Sequence, residues 1–359
     1  MMLTNIDCRA LSAVCWQNAL KILLVCALFG KVLSAEFPLE IVDNSGTKVL
    51  LPKSPKRIVV GGGMWPLPSL VVMLDSSAKR LVYIPKASLN ALRSSFLLDF
   101  YPEIADIPAG NSENIEELLG LKPDLFVCHS ANTKLCESMR KTKIPTIALS
   151  VSKWEYDSSK TLQGWLEIFA PILNAEQKAA KILQALSNTQ ESLKSLPQPL
   201  ESPRVVILHR FDDERHFSVG GLFANYLLQH SGARNAISQK NLKNITLEEL
   251  YVINPEIIYL NHFNDKLPKD ILESKLWQPL SAVQNKRVYK FPLGSYRAFA
   301  PSVDLPILLL WLQAQHYPHR DFQLREKISA YYKEVFGLTL SNAQIEKILN
   351  PTAQAGALE

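Results

Sequence analysis

A chain of 359 residues that is 47% hydrophobic and 20% charged carries enough apolar mass for two cores, which excludes disordered and collagenous classes. Its formal net charge of +5 owes part to Arg9, Lys21 and Lys31, and no basic run or basic-aromatic stripe follows, which excludes nucleic acid as a partner. Five cysteines, of which Cys8, Cys15 and Cys26 lie near the start, exclude a disulfide framework.

Residues 1–35 read as a cleaved signal peptide and predict a periplasmic protein. Lys21 precedes an apolar run from Ile22 to Phe29, and Val32-Leu33-Ser34-Ala35 offers small residues for cleavage after Ser34 or Ala35. The run is too short to span a bilayer. Val25 fits poorly before a lipidated Cys26, so lipoprotein anchoring is the lesser alternative. Export leaves only Cys128 and Cys136, which can pair or remain two buried thiols; no zinc-like spacing accompanies them.

Residues 36–157 predict an N-terminal α/β lobe. Leu39 to Val42 and Lys48 to Leu51, joined through Asn44-Ser45-Gly46, predict a hairpin. Arg57 to Val60 predicts a buried strand that runs into Gly61-Gly62-Gly63, where backbone can approach a ligand closely. Leu81 to Ile84, Asp124 to Val127 and Thr146 to Leu149 are further strands. Helices are expected around Leu67 to Leu74, Ile115 to Leu119 and Thr133 to Lys141. Such alternation predicts a mainly parallel sheet covered on both faces.

Residues 158–197 form a connecting segment. Within it Ala179, Ile182, Leu186, Thr189, Leu193 and Leu196 recur at steps of three and four, predicting one long helix over 174–196 with a narrow apolar seam. Asn174 is its expected N-cap, Gln177 the capping-box partner and Pro197 the stop. A seam this thin suits a strut between two bodies. Residues 198–350 then predict a C-terminal α/β lobe, with strands at Arg204 to Leu208, Glu256 to Leu260 and Arg287 to Tyr289, and a helix from Leu222 to Ser231. A helical region from Asp304 to Leu349 and a short tail, 351–359, close the chain. The halves share a unit: Ile115-Glu116-Glu117-Leu118 before Pro123-Asp124-Leu125-Phe126 matches Leu247-Glu248-Glu249-Leu250 before Pro255-Glu256-Ile257-Ile258. The predicted fold is therefore α/β, two Rossmann-like lobes with mainly parallel sheets bridged by one long α-helix.

In open parallel sheets ligands sit beyond the carboxyl ends of the strands. In the first half those ends offer Trp65, Lys86, His129 and Trp154. In the second they offer His209 and Arg210, Arg215 and His216 in the following loop, His262, and Tyr296 with Arg297. Aromatic walls with convergent cations suit a planar or aromatic anionic ligand, and arginine can pair bidentately with carboxylate- or catecholate-like oxygens. The alternative reading makes His129, His209 and His262, with a carboxylate, direct ligands of Ni²⁺, Zn²⁺ or a similar ion. His316 and His319 are expected at the surface. No G-x-S-x-G elbow, H-E-x-x-H or phosphate loop occurs, so an enzyme is disfavoured; a metal-dependent hydrolase is the remote alternative.

Several segments, in order, resemble the exported solute-binding proteins of ABC importers for iron-siderophores and cobalamin, the class III helical-backbone family, nearest its enterochelin-type binders. They are Ile41 to Val49 with Pro55 to Val60, Asn114 to Val127, Phe223 to Ala236, and Trp277 to Val283 through Tyr289. The resemblance implies a monomer without a resident cofactor that holds a ferric siderophore or other metal chelate between two lobes joined by a long helix. A membrane permease is its partner; cobalamin or a nickel or cobalt chelate is the alternative ligand. The family's sites use arginines, a tyrosine and sometimes a histidine, to which Arg210, Arg215, His216, Tyr296 and Arg297 correspond most nearly. Members present a glutamate on each lobe to the permease. The second-lobe position here is Gln229, which shifts docking to Glu248 or Glu249, with Glu103 or Glu117 on the first lobe.

Overall fold

The computed structural model describes residues 36–196, 202–211 and 213–356. The targeting segment expected over 1–35 and the stop at Pro197 lie outside the described residues. Strands β1 (Leu39–Val42) and β2 (Lys48–Leu51) form an antiparallel hairpin. Strands β3 (Ile58–Val60), β4 (Leu81–Tyr83), β5 (Leu125–His129) and β6 (Thr146–Leu149) build a four-stranded parallel sheet in the order β4-β3-β5-β6. Helices α1 (Leu67–Asp75), α2 (Lys86–Ser94), α3 (Ile115–Gly120) and α4 (Thr133–Lys141) connect these strands. Val59 and Phe126 bury one face of the sheet with Leu118 and Met139, while Ile58, Val60 and Val127 enter the larger core on the other. Both faces are thus apolar, as a sheet covered by helices requires.

Helix α5 (Ser158–Leu173) leaves the first sheet and α6 (Glu176–Ser195) follows it. The seam reading holds for Ala179, Ile182, Leu186 and Leu193, which are buried. The cap reading does not. Asn174 ends α5 in a left-handed conformation (φ 52°), and Ala175 precedes α6 without a side-chain cap. An asparagine tolerates that conformation well, so the same residue type that begins helices here closes one. The 20 residues of α6 span about 30 Å. Near its start Lys178 Nζ donates to the carbonyls of Met73 and Leu74 at the end of α1; near its end Gln190 donates to the Tyr226 hydroxyl of the second lobe.

The second sheet has β7 (Arg204–Phe211), β8 (His216–Val219), β9 (Arg234–Asn235), β10 (Lys243–Thr246), β11 (Ile257–Leu260) and β12 (Val288–Lys290). Strands β7, β11 and β12 are parallel, and β9 pairs parallel to β7. Strands β8 and β10 add antiparallel on the other side of β7. That hairpin was not expected. Its strand is short, and only the alternation of buried Phe217 and Val219 marks it. Helices α7 (Ala224–His230), α8 (Leu247–Ile253), α9 (Leu305–His316), α10 (Leu324–Phe336) and α11 (Asn342–Leu349) complete the lobe.

The shared unit recurs down to its hydrogen bonds. Asp124 accepts from the Arg57 amide at 2.8 Å, and Glu256 accepts from the Arg204 amide at 3.0 Å. The Arg57 guanidinium donates to the carbonyls of Leu121 and Lys122 behind α3, and that of Arg204 donates to Ile253 and Asn254 behind α8. In both lobes an arginine at the start of a strand neutralises the carbonyl end of the helix leading into the neighbouring strand. One apolar cluster runs from Ile58 and Val60 through Ile182 and Leu186 to Val205, Ile207 and Tyr259. The lobes are therefore joined by core as well as by chain.

Candidate functional site

The carboxyl ends of β3 and β5 face those of β7 and β11 across a cavity of about 360 Å³. Its first-lobe lining includes Gly63, Trp65 and His129; the second lobe contributes His209, Arg210, Phe223, Phe263 and Phe299. The rings form a continuous wall. Trp65 meets Phe263 across the cleft at 5.7 Å between centroids, and His209 lies 4.9 Å from Phe263 and 5.2 Å from Phe299. Among the described lining residues none is acidic. Larger hollows of about 520 and 580 Å³ occur elsewhere, but among those described only this one is lined from the ends of β3, β5, β7 and β11 together.

The polar groups of the cavity are fixed as donors. His129 Nδ1 accepts the Ala131 amide at 3.0 Å, which leaves the ring proton on Nε2. Asn261 Oδ1 accepts the His262 amide, so its amide nitrogen faces His209 Nδ1 at 2.8 Å and donates to it. His209 is therefore also an Nε2–H donor. Burial lowers the pKa of His129, and burial with the neighbouring Arg210 lowers that of His209 to about 4. Both rings are neutral at neutral pH. Two N–H donors and the exposed Arg210 suit a ligand that presents anionic oxygens.

The remaining candidates are placed elsewhere. His262 is fully buried, with Nε2 at 2.7 Å from the Phe291 carbonyl and its pKa lowered to about 3, chiefly by burial. The structure does not bring His129, His209 and His262 together, and no group of three metal-ligating side chains occurs among the described residues. Tyr296 and Arg297 are also fully buried. Asp304 accepts from the Ser295 and Tyr296 amides and turns their loop inward; Arg297 Nε donates to the Ala355 carbonyl at 2.9 Å. Arg297 is not among the lining residues of the cavity; it overlies the ring of Phe263, which is, at 5.3 Å. Arg215 and His216 stand exposed at the β7–β8 turn, where His216 pairs with Asp213. Lys86 is exposed at the start of α2, and Trp154 packs over Gly164 in a separate crevice with Tyr156 and Tyr226.

Of the docking candidates, Glu103 accepts from Ser77 and the Ala78 amide, and Glu249 closes the capping box of Thr246. Glu117 accepts from Ser112, and Glu248 is exposed on α8. Cys128 and Cys136 form a disulfide between β5 and α4 on either side of His129. His316 is buried, contrary to expectation, with Nδ1 2.7 Å from the Ser231 carbonyl, whereas His319 is exposed. Sequence reading overlooked Phe223, Phe263 and Phe299. Phe263 follows a strand end and was open to the rule that found His262; Phe299 lies in a loop that no pattern marks.

The chain is 24% identical over 340 residues to the molybdate-binding protein MolA of Haemophilus influenzae, covering 88% of this chain and 95% of that one. It is 26% identical over 188 residues to the Fe(3+)-citrate-binding protein YfmC of Bacillus subtilis, 52% of this chain and 59% of that protein. Its fold matches a periplasmic solute binding protein from Veillonella parvula with a TM-score of 0.74 at 24% identity, covering 87% and 96% of the two chains. The sequence model described as periplasmic binding protein matches residues 73–293, and the chain accordingly belongs to the periplasmic binding protein family, whose members bind solutes.

Proposed function

We propose that this protein captures a compact metal chelate with an anionic oxygen surface, of the ferric siderophore or ferric carboxylate kind, and delivers it to an ABC-importer permease. The observation that carries the reading is the donor-only polar set of the cavity: His129 and His209 as neutral Nε2–H donors, Arg210 beside them, and no acidic lining residue. Such a set repels a bare divalent cation and donates to metal-bound oxygens that still carry the negative charge of an anionic chelate. The aromatic wall supplies non-polar contact for the chelate's rings or methylenes. A cavity of about 360 Å³ suits a compact chelate better than cobalamin, whose macrocycle and nucleotide arm are much bulkier.

The relatives named for molybdate and for Fe(3+)-citrate support an oxygen-faced anion as the class. Docking to the permease is assigned to exposed carboxylates at the starts of equivalent helices, Glu117 on α3 and Glu248 on α8. Calorimetric titration with ferric catecholate, ferric citrate and molybdate tests the reading. Binding of a ferric chelate with loss of affinity in His209→Ala supports it. Binding of molybdate alone makes the ligand a bare oxyanion, and binding of free Ni²⁺ or Zn²⁺ alone overturns it.

A further inference from the structure

Behind Trp65 lies a second hollow, of about 260 Å³, which shares Gly63 and Trp65 with the first. Its character is different. The first is walled by rings, whereas the second is lined by the Gly61-Gly62-Gly63 backbone and by Asn111, Ser112 and Glu113. Gly62 and Gly63 hold positive φ of 56° and 82°, and among the described residues their amides donate to no protein acceptor. The hollow therefore offers the Gly62 and Gly63 amides and the Asn111 side chain beside Glu113, one carboxylate oxygen of which accepts from Asn132 at 2.6 Å. A neutral group with both N–H or O–H and C=O matches such a mixture better than an ion does.

Trp65 is the partition between the two. Its carbonyl accepts from Ser88 at 2.8 Å and its amide donates to Gly63 at 2.9 Å, which anchor the backbone to α2 and the glycine loop. The ring itself rests against Phe263 of the other lobe. A ligand that passes beside the indole touches both chambers at once.

We infer that the second hollow is a subsite for a neutral amide or hydroxyl arm of the ligand, with Trp65 as the residue that separates arm from metal-bound head. The inference rests on the chelate reading of the first cavity. It assigns Asn111 and the Gly62 and Gly63 amides to specificity, and His129, His209 and Arg210 to the charged head.

The test compares two probes with the same head: the ferric complex of catechol and that of an N-alkyl dihydroxybenzamide, whose carboxamide supplies the arm. Affinities are measured by calorimetry for the wild type, Asn111→Leu and Trp65→Phe, with melting curves to confirm folding. Asn111 is exposed, so its replacement leaves the core intact. The wild type is expected to bind the amide chelate about tenfold more tightly, with Asn111→Leu removing most of that preference and changing the catechol chelate by less than about twofold. Trp65→Phe, which narrows the partition, is expected to reduce the preference while still binding both. Equal affinity of the wild type for the two probes, or an equal loss for both in Asn111→Leu, overturns the subsite. Failure of both probes to bind overturns the chelate reading itself, an outcome distinct from equal binding.

Discussion

At the scale of single residues the site depends on where two protons sit. His129 and His209 each accept through Nδ1, so each presents Nε2–H, and burial keeps both neutral. Replacing His209 with alanine is expected to weaken chelate binding about tenfold or more by calorimetry, because a hydrogen bond to a charged oxygen is lost. With the His209 pKa at about 4, that donor keeps its state from pH 8 to about pH 5, and its contribution to affinity is expected to be flat over that range.

Stability behaves otherwise. His209 and His316 titrate near 4 and His262 near 3 in the folded chain, below the value of about 6.5 for an unfolded histidine. The native state thus binds fewer protons between these values. Stability rises with pH through that window, is fully present above about 6.5, and falls as pH drops toward 4. Thermal melts at several pH values check this, and His316→Gln is expected to flatten the slope; a melting temperature unchanged from pH 7 to 4.5 contradicts it. The strand-end rule made His129 and His209 legible in the sequence. It could not separate them from His262, because which way a side chain turns after a strand is decided by partners such as the Phe291 carbonyl, far away in the chain.

At the scale of elements, the loop after β11 is held by one buried lysine. Lys290 Nζ donates to the carbonyls of Asn261, Asn264 and Lys266 at 2.8–3.0 Å, while burial lowers its pKa to about 7. That loop carries Phe263, the ring touched by Trp65, His209 and Arg297. Lys290→Met leaves buried carbonyls without a donor and is expected to cost about 2–3 kcal/mol in denaturant unfolding, and to weaken ligand binding through Phe263. The disulfide ties β5 to α4 over a separation of 8 residues, and Cys128→Ser with Cys136→Ser is expected to cost about 2–3 kcal/mol by the loop-entropy relation. Spacing alone could not show this bond. It depends on β5 and α4 packing so that the two Cα atoms stand 5.9 Å apart. The periodicity of α6 was legible because an apolar seam is local, whereas its first turn was misread because α5 ends where α6 begins. The β7–β8 hairpin escaped notice for a related reason: four residues hold too little alternation to be distinguished from a loop.

At the scale of the whole molecule, two sheets share one continuous core through α6, so opening the cleft widely would separate apolar surface already packed. Modest closure is the expected response to ligand. The exposed pair Lys240–Glu155 links the two lobes at 2.9 Å, and Glu155→Lys is expected to change affinity by less than about fivefold, since solvent screens a pair so exposed. The paired lobes were readable from the repeated helix-proline-strand unit. The ligand was not, because the cavity is made by loops whose meeting no local pattern records. A structure of the protein crystallised with a ferric chelate tests the central claim most directly. The chelate is expected between Trp65 and Phe263, its oxygens within hydrogen-bonding distance of Nε2 of His129 and His209. A chelate bound instead in the crevice of Trp154 and Tyr226, or held by a protein side chain bonded directly to the metal, would contradict it.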